Sequence, residues 1–289
     1  MSIRTITAFL SQLYSGTIGG WAAERKKAAL RARVMALPIT PSYPFDVEAK
    51  LIRTLGVEPS AMLDIGANTG IYSAILEDQV GSENLYLFEP LPHLYTHLKH
   101  RFREAHVFDF ALSDEEAIQN IRVPYIAGKR YDTRATFNEH SEPNQTGFEE
   151  IEVRLFPLDR VVENFDFDAI GFVKIDVEGH ELEVIRGGSE TFTRFKPLIL
   201  MEIESRHHSF PITRIFSELE GLGYQGFYVK PEAFELMKIT EFDSERDQNP
   251  ADLESRNFSR YLNNFFLVHH SSAEDFVARA TAFLESERH

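Results

Sequence analysis

The stretch Ala61-Met62-Leu63-Asp64-Ile65-Gly66-Ala67-Asn68-Thr69-Gly70 decides the fold. It reads as a short apolar strand ending in an acid, a tight glycine-bearing turn, and a helix opening at Thr69. Glycine at 66 and 70 lets the backbone turn sharply and leaves no Cβ in the way of an approaching ligand. A turn of this kind at the carboxyl end of a parallel strand is where an open α/β sheet binds an adenosine-containing ligand. A dinucleotide fingerprint would read Gly-x-Gly-x-x-Gly. Here the order is Asp-x-Gly-x-x-x-Gly, and Asp64 beside the ligand suits a cation better than a diphosphate. S-adenosylmethionine (SAM), with an ammonium, a sulfonium and no phosphate, fits that charge. A nicotinamide dinucleotide is the alternative.

Outward from this turn, apolar segments alternate with helical ones. Strands are expected at Ala61–Asp64, Leu85–Phe88, His106–Phe110, Phe172–Asp176, Leu198–Ile203, Gly226–Val229 and Asn263–His269. Helical spacing covers Ile71–Glu77, Leu94–Arg103, Glu181–Arg194, Thr213–Leu222 and Ala273–Ser286. Near-continuous apolar strands in alternation with helices predict a doubly wound, mostly parallel α/β sheet with helices on both faces. A β insertion over about 118–156 breaks the rhythm: Ile118–Pro124 and Glu150–Phe156 alternate apolar and polar residues. The polar loop between them, over 124–150, carries Lys129, Arg130, Arg134 and Asn138, and reads equally as a lid or as a surface excursion. Tyr125, Tyr131 and Phe137 in it would stack on a sugar or pin the loop.

The 289 residues suffice for one large domain with an arm. With 43% hydrophobic residues and 24 Phe, a substantial core is expected. Acids outnumber bases 45 to 30, a net charge of −15, which argues against a broad nucleic-acid surface. There is no cysteine, so disulfides, thiolate metal sites and cysteine nucleophiles are excluded. No apolar run approaches a membrane span, and Ser11, Gln12, Ser15 and Thr17 interrupt any signal-peptide core, so a cytoplasmic location is expected.

Residues 1–45 read as an N-terminal helical arm, and 46–289 as the main domain. Ile6, Leu10, Leu13, Thr17 and Trp21 fall at helical spacing, weakened by Gly16, Gly19 and Gly20. Arg25, Lys26, Lys27, Arg31 and Arg33 then cluster. They suit either peripheral contact with anionic lipid or a solvated helix packed on its own domain. Pro38, Pro41 and Pro44 mark a linker.

The chemistry gathers at strand ends. Glu89, in Phe88-Glu89-Pro90, lies 19 residues beyond Gly70, the spacing at which an acid binds ribose hydroxyls. The third strand ends near Ala111-Leu112-Ser113, small enough for an adenine ring to lie against backbone. The fourth delivers Asp176, then Glu178, Gly179 and His180. The fifth delivers Glu202 and Glu204, followed by Arg206, His207 and His208.

Leu63–Gly70, Phe88-Glu89-Pro90, Ala111-Leu112-Ser113, Leu158-Asp159 and above all Val173-Lys174-Ile175-Asp176-Val177-Glu178-Gly179-His180-Glu181 resemble the FkbM-type SAM-dependent methyltransferases, over roughly residues 60–205. The resemblance implies a class I methyltransferase fold, a seven-stranded sheet with its last strand antiparallel. It implies that Asp64, Gly66, Ala67, Asn68 and Gly70 hold the methionine part of SAM. Glu89 and Pro90 would hold ribose, and Ala111, Leu112 and Ser113 would border adenine. It further implies O-methylation of a hydroxyl on a sugar, glycan or other small natural product.

An alcohol attacks an activated methyl only as its proton leaves, so a base is expected. Asp176 and His180 are the candidates, with His207 and His208 behind them. Asp176 alternatively binds the methionine end of SAM, His180 alternatively opens the next helix, and Glu178 alternatively caps it. No metal is expected. Were a divalent cation used, Asp176, Glu202 and His207 would be its ligands. The competing functions are a nicotinamide-dependent oxidoreductase and a non-catalytic SAM-binding or membrane-associated scaffold.

Overall fold

The computed structural model describes residues 20–36, 45–56, 60–139, 141–255 and 260–288. The linker read at Pro38, Pro41 and Pro44, and the helical spacing before Gly20, lie outside these residues.

The expected α/β sheet is present. Its strands are β1 (Ala61–Ile65), β2 (Leu85–Phe88), β3 (His106–Phe108), β8 (Ile170–Ile175), β9 (Leu198–Glu202), β10 (Tyr224–Lys230), β11 (Glu235–Lys238) and β12 (Asn264–His269), in the spatial order β11-β10-β12-β9-β8-β1-β2-β3. From β3 to β9 every pairing is parallel, and β12 is antiparallel to both β9 and β10. The sheet therefore has eight strands, not seven. The extra one, β11, forms an antiparallel hairpin with β10 at the edge. Its sequence, Glu-Leu-Met-Lys, is only partly buried, so it lacks the continuous apolar run that marks the inner strands.

Successive residues on each inner strand enter opposite cores. Met62, Phe172, Leu200 and Phe266 join one apolar cluster; Leu63, Val173, Met201 and Leu267 join the other. Helices Ile71–Val80 and Ala273–Glu287 pack on the first, Glu181–Gly187 and Thr213–Gly221 on the second. Each large apolar side chain buried in this way contributes about 1.5–3 kcal/mol.

The insertion is a second sheet, in the order β4-β7-β5-β6, of β4 (Ala111–Ser113), β5 (Ala117–Ile126), β6 (Lys129–Arg130) and β7 (Gln145–Pro157). The third strand is thus shorter than its apolar run. It stops at Phe108, and Ala111–Ser113 leaves the main sheet to pair in parallel with β7. The helix expected over Glu181–Arg194 divides into Glu181–Gly187 and Ser189–Phe195. Two glycines weaken it there, and Gly187 lies so close to β4 that a Cβ would stand 1.8 Å from the Ser113 carbonyl oxygen. The Asp159 carboxylate caps the second piece, accepting from Thr191 N at 2.8 Å and Glu190 N at 3.1 Å.

Helix Gly20–Ala36 turns part of its basic cluster inward. Lys27, 4% exposed, pairs with the buried Glu77 at 2.7 Å, and Arg31 donates to the Ala74 carbonyl and faces Asp78. Among the described residues no helix is long and apolar enough to cross a membrane.

Candidate active site

The carboxyl ends of β1, β2 and β8 meet β4 and the inserted sheet around a cavity of about 210 Å³. Its floor is the glycine turn. Gly66 N and Ala67 N both donate to the Phe88 carbonyl at 3.0 Å, and Arg101 holds the Thr69 carbonyl at 2.6 Å. Gly66 has φ +75°, and a Cβ on it would stand 1.9 Å from the Asp176 carbonyl oxygen. Gly70 has φ +72°, and its Cβ would meet Phe102 and Leu98 at 2.5 and 2.8 Å. The positive φ values agree with the sharp turn expected at both glycines, and the second expected reason, ligand access, is joined by a demand from the protein's own packing.

Asp64, Gly66, Ala67, Asn68, Glu89, Pro90, Ala111, Leu112 and Asp176 all line the cavity. Gly70 and Ser113 do not: Ser113 is buried and hydrogen-bonded at 3.0 Å to His180 Nε2. His180 is thereby turned away from the cavity, packed against Phe137 with ring centres 4.8 Å apart, and burial lowers its pKa. Asp64 Oδ2 accepts from Ser73 Oγ at 2.6 Å, tying β1 to the following helix, and burial raises its pKa to about 6. Glu89 clamps the turn. Its Oε2 accepts from Asn68 N at 2.8 Å and its Oε1 from Leu91 N at 2.9 Å, while burial raises its pKa to about 7.

The loop after β8 is held under tension. Glu178 has φ +49°, unusual for a residue with a side chain, and Gly179 follows at +100°. Two residues of the inserted sheet's loop hold this shape. Thr136 Oγ1 donates to the Glu178 carbonyl at 2.6 Å, and Asn138 Nδ2 donates to the carbonyls of Gly179 and His207 at 3.0 and 2.9 Å. Residues 132–138 of the stretch expected as a loop are therefore a strap across the cavity, which Phe137, Ala135 and Asp132 help to line.

No side chain caps the next helix, Glu178 included; Glu181, in its first turn, accepts from Gly179 N at 2.9 Å. Glu178 instead lines the cavity with His207 Nε2 3.3 Å from its Oε2. Burial first, then the charges of Asp176, Glu202 and Glu204, raise its pKa well above the usual carboxylate range. Glu202 accepts from Asn263 at 2.6 Å, and burial raises its pKa too. Burial also opposes the charge of Glu204, but Arg206 and Tyr261 bind it and hold its pKa low. Glu202 and His207 thus point to different partners, and neither lines the cavity with Asp176. Among the described residues no three His, Asp or Glu side chains are grouped to hold a metal ion. Glu178 was expected at the ligand-bearing edge, alternatively as a helix cap, and Asn138 in the candidate lid; the parts played by Thr136 and Asn138 in holding the Glu178-Gly179 turn were not expected. The Glu178-Gly179 dipeptide after an apolar strand was the one available signal.

The family model described as the Methyltransferase FkbM domain matches residues 64–225, which run from the first acid of the turn to the start of β10. Over 165 residues the chain is 24% identical to the hexuronic acid methyltransferase AglP of Haloferax volcanii, covering 56% of this chain and 63% of that protein's length. The crystal structure of the methyltransferase FkbM from Methylobacillus flagellatus aligns with a TM-score of 0.45 at 17% identity, over 91% of this chain and 59% of that one. The precorrin-6y C5,15-methyltransferase from Geobacter metallireducens aligns with a TM-score of 0.33 at 11% identity, over 88% and 89% of the two chains. With most of its signature strand ends gathered at one cavity and more than half its length matched, the chain belongs to the FkbM methyltransferase family.

Proposed function

We propose that this chain is a SAM-dependent O-methyltransferase acting on a hydroxyl of a sugar, glycan or other small natural product. The charge of the cavity wall carries this reading. Among the described residues Asp64, Glu89, Asp132, Asp176 and Glu178 contribute five carboxyls, against the single ammonium of Lys174. Such a wall favours a cationic ligand and opposes a pyrophosphate, which also weighs against a nicotinamide-dependent oxidoreductase. The hexuronic acid named for the Haloferax relative supports an acceptor of the sugar class.

When bound, SAM would supply a methyl group on a positively charged sulfur, already activated for in-line displacement. The chain's part is to bind and align the two reactants and to keep water out. Glu89 and the 64–70 turn would hold the nucleoside, and Asp176 the cationic amino-acid end. Glu178, open to the cavity with His207 behind it, would take up the acceptor's proton.

Calorimetry with S-adenosylhomocysteine tests the donor site, and transfer of labelled methyl to a panel of hexosides and hexuronic acid glycosides tests the acceptor. Tight binding, weakened in Glu89→Ala, is expected. Glu178→Gln should bind S-adenosylhomocysteine normally yet transfer little methyl. Failure of the folded wild-type chain to bind S-adenosylhomocysteine would sink the reading, while binding without transfer to any acceptor would favour a non-catalytic scaffold.

A further inference from the structure

The inserted sheet has two faces of opposite character. Ile121, Val123 and Val153 pack inward in an apolar cluster, and Ile121 also lines the main cavity. On the outward face Arg122 and Pro124 of β5 stand opposite Glu150 and Phe148 of β7. The strap continues this division. Arg122 N donates to the Thr136 carbonyl at 2.8 Å and Thr136 N to the Arg122 carbonyl at 3.0 Å, so the strap is extended there and its side chains alternate. Ala135 and Phe137 line the main cavity, whereas Arg134 and Thr136 line a separate groove on the outer side, of about 60 Å³. That is room for about four to six waters, enough for much of one sugar ring and too little for a nucleotide.

The groove differs in chemistry from the main cavity. Its charged groups among the described residues are Arg122, Arg134, Glu139 and Glu142, two of each sign. They are engaged with carboxylates and guanidiniums already present. Arg122 donates to Glu150 at 3.1 Å and to Glu139 at 3.4 Å. Arg134 donates to one oxygen of the buried Glu142 at 2.9 Å, and Arg206 to the other at 2.6 Å. No net charge is left to draw an ion. The Phe148 ring lines the groove at 48% exposure, one of three large apolar side chains so exposed among the described residues. Arg122 lies 4.9 Å from its centre and steadies it. Gln145 Oε1 accepts from Glu142 N at 2.9 Å, which fixes the amide and leaves its two N–H groups to donate.

We propose that this outer groove binds one neutral pyranose ring. A pyranose has an apolar C–H face, which suits Phe148, and a rim of hydroxyls that donate and accept, which suits Gln145, Arg122 and Glu139. A charge-balanced wall with one exposed aromatic ring fits such a ligand better than a phosphate, a cation or a wholly apolar molecule. The ring belongs either to a remote sugar of a glycan acceptor or to a free sugar acting on the strap, whose Thr136 side chain holds the Glu178 carbonyl. Sugar binding here needs no methyl donor, so it stands or falls apart from the SAM reading.

Amide NMR of the full deuterated chain tests the groove, with methyl α-D-glucopyranoside, methyl β-D-galactopyranoside and methyl α-D-mannopyranoside as probes. At least one should bind with a Kd of about 1–10 mM and shift the signals of Arg122, Thr136 and residues 145–148. Phe148→Ala should weaken that binding about tenfold, and Phe148→Trp should retain it. Phe148 is exposed, so both variants should melt with the wild type. No shift from any of the three glycosides, shifts confined to the main cavity around 64–70 and 176–178, or undiminished binding by Phe148→Ala would each overturn the proposal. Methyl-transfer kinetics then separate the two sources. For a ring of the acceptor's own chain, Phe148→Ala should raise KM about tenfold for a trisaccharide of the bound sugar and leave its methyl glycoside unchanged. For a free sugar, added methyl glycoside should change kcat in the wild type and not in Phe148→Ala.

Discussion

Donor binding should be coupled to proton release, with a sign and size set by Glu89. In the free protein burial raises the Glu89 pKa to about 7 and that of Asp64 to about 6. A carboxyl that accepts hydrogen bonds from ribose hydroxyls, or that faces the ligand's ammonium, does so best when ionised, so each must shed its proton for tightest binding. For a group of pKa about 7 that binds only when ionised, lowering the pH from about 8 to about 6 weakens apparent affinity about tenfold. Asp64, with its lower pKa, adds about another factor of two near pH 6. Calorimetry with S-adenosylhomocysteine in buffers of different ionisation enthalpy measures both affinity and protons released. Glu89→Gln should bind more weakly at about pH 8 and lose most of the pH dependence. The stability of the free protein should run the other way. Acids whose folded pKa is raised contribute stability that is full below their unfolded pKa and is lost as pH rises through about 6 and 7. The ligand-free melting temperature should therefore fall between about pH 5 and about pH 8, while the increment from ligand grows. Affinity that stays flat across this range, with no proton released, would refute the assignment of Glu89 to the donor site.

Three further perturbations separate the parts of the site. Gly66→Ala forces a Cβ onto the Asp176 carbonyl at a positive φ and should cost more than about 2 kcal/mol in urea unfolding, with loss of S-adenosylhomocysteine binding. Asn138→Ala frees the carbonyls of Gly179 and His207. It should cost about 1–2 kcal/mol and speed hydrogen exchange in the strap and the 176–180 loop before anywhere else. Lys27→Met leaves Glu77 without its closest cation and should destabilise by about 2–3 kcal/mol, whereas Lys27→Met with Glu77→Leu should recover much of the loss, as read by thermal melting.

The main sheet was legible because buried parallel strands must be apolar throughout and must present their polar groups at one end. Asp64, Glu89 and Asp176 mark three such ends, and all three line one cavity. Edge strand β11 was hidden for the opposite reason: half-exposed, it needs no apolar run. Gly66 and Gly70 were read at the right places for an incomplete reason, since their tight neighbours come from residues 98–102 and 176, which local sequence does not bring to mind. His180 and Ser113 share a motif with the site yet face each other, because a helix start can turn a side chain either way. The strap was ambiguous in sequence. Its function lies in two hydrogen-bonding side chains, Thr136 and Asn138, whose partners are main-chain carbonyls that carry no sequence signal.

The placement of β12 between β9 and β10 orders the molecule in time. Residues 264–269 leave the ribosome after residues 198–238, yet they fill the gap that joins the β10–β11 hairpin to the rest of the sheet. Until they arrive, β9 offers an open hydrogen-bonding edge, the kind of surface on which nascent chains misassociate. Strands β1, β2 and β8, which frame the cavity, and their neighbour β3 are synthesised earlier and pair in one run. The catalytic half is thus assembled in the order of translation, and the unfinished half bears the burden of late closure.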